Sequence, residues 1–212
     1  MFQNRIEAGK KLASKLAQYE NDAHALVLGL PRGGVVVAYE VAQALRLPLD
    51  VIVVRKIGAP DNPEFAIGAA AADGTIVWEE ETLADYQLDA EELHRRAAKE
   101  IAVAQERLRI FRGDRMPLNL RDTTAIIVDD GIATGSTMRA AIATAKVAHA
   151  RKIVVAVPVL PKDAIKKMKE AVDEVVYLRA PSLLFAVGAS YINFSEVTHE
   201  DVRQLLEKSK KK

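Results

Sequence analysis

Short unbroken apolar runs alternate with amphipathic stretches along this 212-residue chain. Residues 25–30, 51–54, 125–128, 153–157 and 175–178 are four to six positions long and dominated by Val, Ile, Leu and Ala. They show no in–out alternation, as expected of strands covered on both faces. Residues 67–71 are a further candidate, and Asp73-Gly74 is a hairpin signal leading into 75–78. The opening residues repeat differently. Phe2, Ile6, Leu12, Leu16 and Tyr19 recur at helical spacing, and Asn4 with Glu7 has the spacing of a capping box, which places a helix start at Asn4.

Helices are also predicted over 34–45, 136–149, 161–171 and 198–206. A long one is marked by Leu93, Ala97, Ile101, Ala104, Leu108 and Phe111, spaced three or four apart, with Arg95, Arg96, Lys99, Glu100, Glu106 and Arg107 on its other faces. The alternation of buried strands and helices predicts an α/β fold with a mainly parallel, doubly wound sheet and helices on both faces. No repeat, low-complexity block or linker interrupts the pattern. Residues 1–212 therefore read as one domain, and that length can bury a full core.

Composition narrows the function classes. Lys and Arg total 30 against 29 Asp and Glu, so no global field draws the chain to nucleic acid or to a membrane surface. The basic end (Lys208, Lys210, Lys211, Lys212) reads as a frayed terminus. Cysteine is absent, which excludes disulfides and thiolate metal sites and is compatible with a reducing cytosol. No stretch approaches the ~20 apolar residues of a membrane span. The amino terminus lacks the apolar block of a signal peptide. The expectation is a soluble, cytoplasmic protein. His24, His94, His149 and His199 are scattered without metal-ligand spacing.

The chemistry concentrates in 126–137, Ile-Ile-Val-Asp-Asp-Gly-Ile-Ala-Thr-Gly-Ser-Thr. An apolar strand ends in two carboxylates, and a turn rich in Gly and hydroxyls opens a helix. Ligands of open α/β sheets bind beyond the carboxyl ends of strands, where Asp129 and Asp130 would project. Gly131 and Gly135 let amides curl inward, and the helix start adds partial positive charge. Carboxylates that accept from hydroxyls, set beside amides that bind phosphate, suit a phosphorylated sugar. A strand ending in an ordinary Asp cap is the simpler alternative. Residues 29–34 (Gly-Leu-Pro-Arg-Gly-Gly) form another strand-to-helix turn. The chain has neither G-x-G-x-x-G nor G-x-x-x-x-G-K-[ST] spacing, but Gly33 and Gly34 permit close anion approach and Arg32 can donate to it.

These two segments resemble those of type I phosphoribosyltransferases. The resemblance spans 25–68 and 123–196, and it implies a fold with a core over about 20–160, a small C-terminal hood over about 158–197 and, here, a long inserted helix within 74–122. It implies that Asp129 and Asp130 hold the ribose hydroxyls of phosphoribosyl pyrophosphate (PRPP) and, directly or through water, a Mg²⁺ ion. Gly131, Ile132, Ala133, Thr134, Gly135, Ser136 and Thr137 would cradle the 5′-phosphate. Pro31, Arg32, Gly33 and Gly34 would form the pyrophosphate loop, with a cis bond at Pro31–Arg32. Arg55 and Lys56 are similar to the start of the flexible loop and would neutralise departing pyrophosphate, unless they are an exposed basic turn. Glu64 would exchange a proton with the attacking nitrogen or simply face solvent. Tyr177 would stack on the base from the hood or sit in a core strand, and 185–188 match a hood turn.

Two departures separate the chain from 6-oxopurine enzymes. Ala133 replaces their aspartate, and Pro158 and Val159 stand where their lysine would be. The loops are closer to the adenine, xanthine and uracil types. The implied activity is phosphoribosyl transfer to a nitrogen of a nucleobase or related heterocycle, in a homodimer to whose interface the long helix would contribute. A regulatory protein that binds PRPP without turnover is the alternative, and a receiver-like phosphotransfer domain is more distant because the glycine and hydroxyl turn directly follows Asp130.

Overall fold

The computed structural model describes residues 1–62, 65–83, 86, 88–113 and 118–210. In chain order its elements are α1 (Arg5–Ser14), β1 (Ala25–Gly29), α2 (Gly33–Leu45), β2 (Leu49–Val51), β3 (Val54–Gly58), β4 (Ala66–Ala71), β5 (Ile76–Trp78), α3 (Glu80–Leu83), α4 (Ala90–Arg112), β6 (Thr124–Val128), α5 (Ser136–Val147), β7 (Lys152–Val159), α6 (Ala164–Ala171), β8 (Glu174–Arg179) and α7 (His199–Lys210). The first helix begins where the sequence places it. Asn4 caps α1 by accepting the Glu7 N–H at 2.9 Å, and Glu7 reaches back to the N–H of Gln3.

Among the described residues, five strands form a parallel sheet in the order β2-β1-β6-β7-β8. Its central strands bury both faces, which explains their unbroken apolar character. Ile126 and Val128 point into a cluster with Leu12, Leu16, Val35, Val41, Val202 and Leu206. Ala125 and Ile127 point the other way, onto Met138, Ala141, Ile142 and Met168. Helices α1, α2 and α7 thus cover one face while α5 and α6 cover the other, as a doubly wound sheet requires. The register pairs Gly29 with Val128 and Val128 with Ala156. The carboxyl ends of β1, β6 and β7 therefore open side by side.

The structure corrects two expectations. The run 51–54 is not one strand. Strand β2 ends at Val51 and β3 begins at Val54 in a second sheet, an antiparallel one ordered β3-β4-β5. Ile52 and Val53 are each 3% exposed and lie at the junction; Ile52 donates to Gly29 O, and Val53 O accepts from Ala72. Burial at a junction between sheets produces the same apolar run as burial in a strand. The hairpin at Asp73-Gly74 is present, with Gly74 at φ +91°. The apolar stripe of α4 (Ala97 with Leu93 and Ile101) packs on Ile57, Ile67 and Ala70 of this second sheet. Further along α4, Ala104, Leu108 and Phe111 join the main core. The apolar stripe of the long helix is thus buried within the chain.

The second correction concerns the hood. Residues 174–179 are β8, the edge strand of the parallel sheet, with Tyr177 opposite Val157. Tyr177 packs against the cluster on the α5–α6 face, where an aromatic on an edge strand covers the last row of core side chains. The segment that covers the site runs instead from Val187 to about residue 196 and pairs with the amino terminus. Phe2 N–H donates to Ser190 O, Ile192 N–H to Phe2 O and Asn193 N–H to Gln3 O. Among the described residues, no helix is long and apolar enough to cross a membrane.

Candidate active site

The two strand-to-helix turns meet at the carboxyl edge of the sheet. After β6 come Asp129 and Asp130, both partly buried, and then buried Gly131 and Ile132. Ala133 and Thr134 are exposed, and Gly135 turns the chain into α5 at φ +85°. None of the amides of residues 133–137 meets an acceptor among the described residues, as follows for the first turn of a helix. Five N–H groups thus remain without a backbone acceptor around the start of a 12-residue helix, an arrangement that favours an anion. The hydroxyls of Thr134 and Ser136 lie 3.3 Å apart beside it. Ile132 departs from its expected role. Its side chain is 2% exposed within the core, and its N–H donates to Val159 O at 2.9 Å. It anchors the loop to β7.

The other turn carries a cis peptide at Pro31–Arg32, as the resemblance implies. Its glycines touch the acids. A β-carbon on Gly34 would stand 2.6 Å from Oδ1 of Asp129, and one on Gly33 would meet Oδ2 of Asp130 and the Arg5 guanidinium. The amides of Arg32, Gly33 and Gly34 likewise have no backbone acceptor among the described residues. Arg32 is ion-paired with Glu196, Nη2 to Oε1, at 2.9 Å, and Glu196 is largely exposed.

The acids are unequal. Burial, and then the charge of Asp130, push the Asp129 carboxyl well above the usual aspartate range, although its Oδ1 accepts the Asp130 N–H at 2.8 Å. Burial also raises Asp130, while Arg5 pulls it down. Arg5 Nε donates to Asp130 Oδ2 at 2.7 Å, Nη1 donates to Ser195 O at 2.8 Å, and the guanidinium lies 3.7 Å from the Phe194 ring centroid. Tyr191 OH donates to Asp130 O at 2.5 Å, and burial raises its pKa strongly. Sequence reasoning missed Arg5, Tyr191 and Phe194. They lie at least 61 positions from Asp130, so local spacing carried no signal for them.

Arg55 and Lys56 lie in β3 itself, paired with β4. Arg55 is held by Glu100 of α4 at 2.9 Å. Arg107, also on α4, is a further missed cation: burial, then the charges of Arg55 and Arg32, lower its pKa. Arg107 is thus within electrostatic reach of Arg55 and Arg32, with Glu100 opposing their effect. Glu64 lies outside the described residues.

With both loops and the acid pair in place, comparison with known proteins becomes decisive. The sequence profile of the phosphoribosyl transferase domain matches residues 2–188. The chain belongs to the type I phosphoribosyltransferase family. Similar proteins from two strains of Mycobacterium tuberculosis, named as candidate phosphoribosyl transferases, are 44% identical over 209 residues. That match covers 99% of this chain and 47% of each relative, so the chain spans about half the length of the curated relatives it matches. The crystal structure of TT1426 from Thermus thermophilus is 43% identical, covers 98% of both chains and superposes with a TM-score of 0.81. The AQ2163 protein of Aquifex aeolicus shares the fold at 10% identity, with a TM-score of 0.51 over 95% of this chain and 84% of that one.

In this chain a cleft of about 760 Å³ opens beside Ala133 and Thr134. Trp78 and the Arg139–Glu79 ion pair border it on the side of the second sheet. Leu183, Leu184 and Phe185 form the opposite wall, and Lys167 and Asp163 add charge. Phe185 is 92% exposed, so an aromatic face stands in solvent at the mouth of a cleft. No three His, Asp or Glu side chains converge on a possible metal position among the described residues.

Proposed function

We propose that this chain transfers the 5-phosphoribosyl group of PRPP to a ring nitrogen of a nucleobase or related heterocycle. The C1′–N bond forms, the C1′–O bond to pyrophosphate breaks, and the nitrogen gives up its proton. The observation that carries this reading is the contact between the acid pair and two turns of unpartnered amides. A pentose bearing phosphate at one end and pyrophosphate at the other spans that distribution of donors and acceptors.

In this reading the amides of 133–137 and the hydroxyls of Thr134, Ser136 and Thr137 hold the 5′-phosphate. Asp129 accepts from a ribose hydroxyl, and Asp130 contributes from its Arg5-bound position. The 31–34 turn holds pyrophosphate, with Arg32, Arg55, Lys56 and Arg107 stabilising charge that grows on the leaving group. Arg32 would exchange Glu196 for the phosphate oxygens. Glu64 remains the proposed proton acceptor for the attacking nitrogen.

The donor set fits a Mg²⁺ carried in on pyrophosphate rather than one caged by protein, since Mg²⁺ sites commonly combine one or two carboxylates with substrate phosphates. When bound, Mg²⁺ would neutralise phosphate charge, with Asp129 as the available carboxylate and Asp130 reached through water. The acceptor ring would enter the cleft and stack on Phe185, with Trp78 facing it, so Phe185 takes over the stacking role first assigned to Tyr177. Ala133, Pro158 and Val159 argue against hypoxanthine or guanine.

The test is pyrophosphate release from PRPP with Mg²⁺ and a panel of bases. Release with any base supports transfer. Tight PRPP binding with no turnover on any base supports a regulatory PRPP-binding protein, and no PRPP binding ends both readings. A homodimer and a cytoplasmic location belong to the same proposal, and light scattering checks the first.

A further inference from the structure

The apolar run 51–54 ends one strand and begins another, and a recess opens beside that junction. It measures about 380 Å³ and is walled by Ile52, Val53, Ala72, Leu108, Leu118 and Val147. It shares no lining residue with the cleft beside Ala133 and Thr134. Its polar members are few. Arg112 is ion-paired with Asp50 at 3.1 Å, and both side chains are largely buried, so that charge is already balanced. Asp73 is exposed. Thr144, in the last turn of α5, differs from both. It is 6% exposed, and its hydroxyl is buried without a hydrogen-bond partner among the described residues. A helical threonine can turn its hydroxyl to the carbonyl three or four residues back. Thr144 does not.

Buried polar side chains are nearly always partnered, and the hydroxyl proton needs an acceptor. An apolar lining gives a water molecule too few partners to supply one. The volume falls within the range of small-molecule sites. We propose that this recess binds a neutral, mainly apolar small molecule whose carbonyl oxygen accepts from the Thr144 hydroxyl. With no bond to hold it, that hydroxyl can change χ1 rotamer to meet the ligand. The paired Arg112 and the Asp73 carboxylate leave nothing to attract an anion. The site is separate from the one proposed for PRPP and does not rest on that reading.

The probes are acetophenone and isopropenylbenzene, which have the same shape and differ in one carbonyl oxygen. Titrating each into the isotope-labelled full chain, followed by amide chemical shifts, measures affinity and locates the site. The proteins are wild type, Thr144→Val and Ala148→Leu, with thermal melts alongside. Wild type is expected to bind both probes, with shifts at Val53, Ala72 and Leu108 and none at Phe185. Thr144→Val keeps the shape and removes an unpartnered hydroxyl, so it should melt no lower than wild type. It should lose about three- to tenfold in acetophenone affinity, as for a neutral hydrogen bond, and nothing for isopropenylbenzene. Ala148 also lines the recess, so Ala148→Leu should fill it and abolish binding of both. If Ala148→Leu fails to melt cooperatively, Thr144→Val decides alone.

The proposal is overturned if neither probe binds wild type up to its solubility limit, or if the shifts gather at Phe185. An equal change for the two probes in Thr144→Val overturns it as well, because the hydroxyl would then not be a ligand group. So does wild-type affinity in a folded Ala148→Leu.

Discussion

Gly34 lies directly against Asp129: a β-carbon there would stand 2.6 Å from the carboxylate Oδ1 and 2.8 Å from the Asp129 Cα. One of those neighbours is backbone, so a flexible side chain cannot relieve the clash by turning away. The two strand-to-helix turns are in effect one packed unit, joined across β1 and β6. Gly34→Ala should therefore push the acid pair out of place. The expected result is at least a tenfold loss of PRPP affinity by calorimetry and a lower melting temperature. A variant that binds PRPP as wild type does would separate the turns functionally.

Asp129 should cost stability while it equips the site. Burial and the neighbouring Asp130 charge raise its carboxyl pKa in the folded protein. A raised acid favours folding only while protonated, so that contribution is lost as pH climbs through the raised value. Asp129→Asn removes the charge and keeps an oxygen able to accept the Asp130 N–H. In ligand-free protein at pH 7 it should gain on the order of 1 kcal/mol, a rise in Tm of about 2–4 °C. The gain should vanish near and below pH 3.8, the ordinary aspartate value. PRPP binding should be lost throughout, a trade of function for stability. Melting curves across pH, with and without PRPP, check both halves.

Phe185 and Tyr177 should separate acceptor binding from folding. Phe185 is almost fully exposed at the cleft mouth, whereas Tyr177 packs into the sheet. Phe185→Ala should weaken acceptor binding by about 1–3 kcal/mol, as for loss of an aromatic stacking partner, with PRPP affinity and Tm unchanged. Tyr177→Ala should do the opposite, lowering Tm with little change in acceptor KM. Steady-state kinetics and melts on the two variants decide between these walls of the molecule.

Far from the site, Glu174 accepts from Tyr19 OH at 2.5 Å and from Lys152 Nζ at 2.9 Å. Burial alone would raise its pKa, but the bonds from Tyr19 and Lys152 outweigh that and hold it below 4.5. Its stabilisation is therefore complete above the ordinary glutamate value and is lost as pH falls through the lowered one. Lys152 is 38% exposed, so solvent screening limits its share. Glu174→Gln should cost about 1 kcal/mol at pH 7, and the difference should close below pH 4.5. Activity should be unaffected.

The local parts of the site are legible in residue order because each is a strand, a glycine turn and a helix start in succession. Residues 29–34 and 126–137 need no distant partner to adopt that form, and the parallel sheet follows from strands buried on both faces. Residues 51–54 and 174–179 were harder. An apolar run records burial without recording what buries it, so a junction between sheets resembled a strand and an edge strand resembled part of a hood.

Residue order alone thus determined the family, the acid pair, both glycine turns and most elements, since these depend on neighbours in the chain. Tertiary structure alone decided that Arg5 and Tyr191 grip Asp130, that Arg107 joins Arg32 and Arg55, and that Phe185 rather than Tyr177 fronts the cleft. Those relationships join residues far apart in sequence. Only the packing of α1, α4 and the 187–196 segment around the sheet brings them within reach.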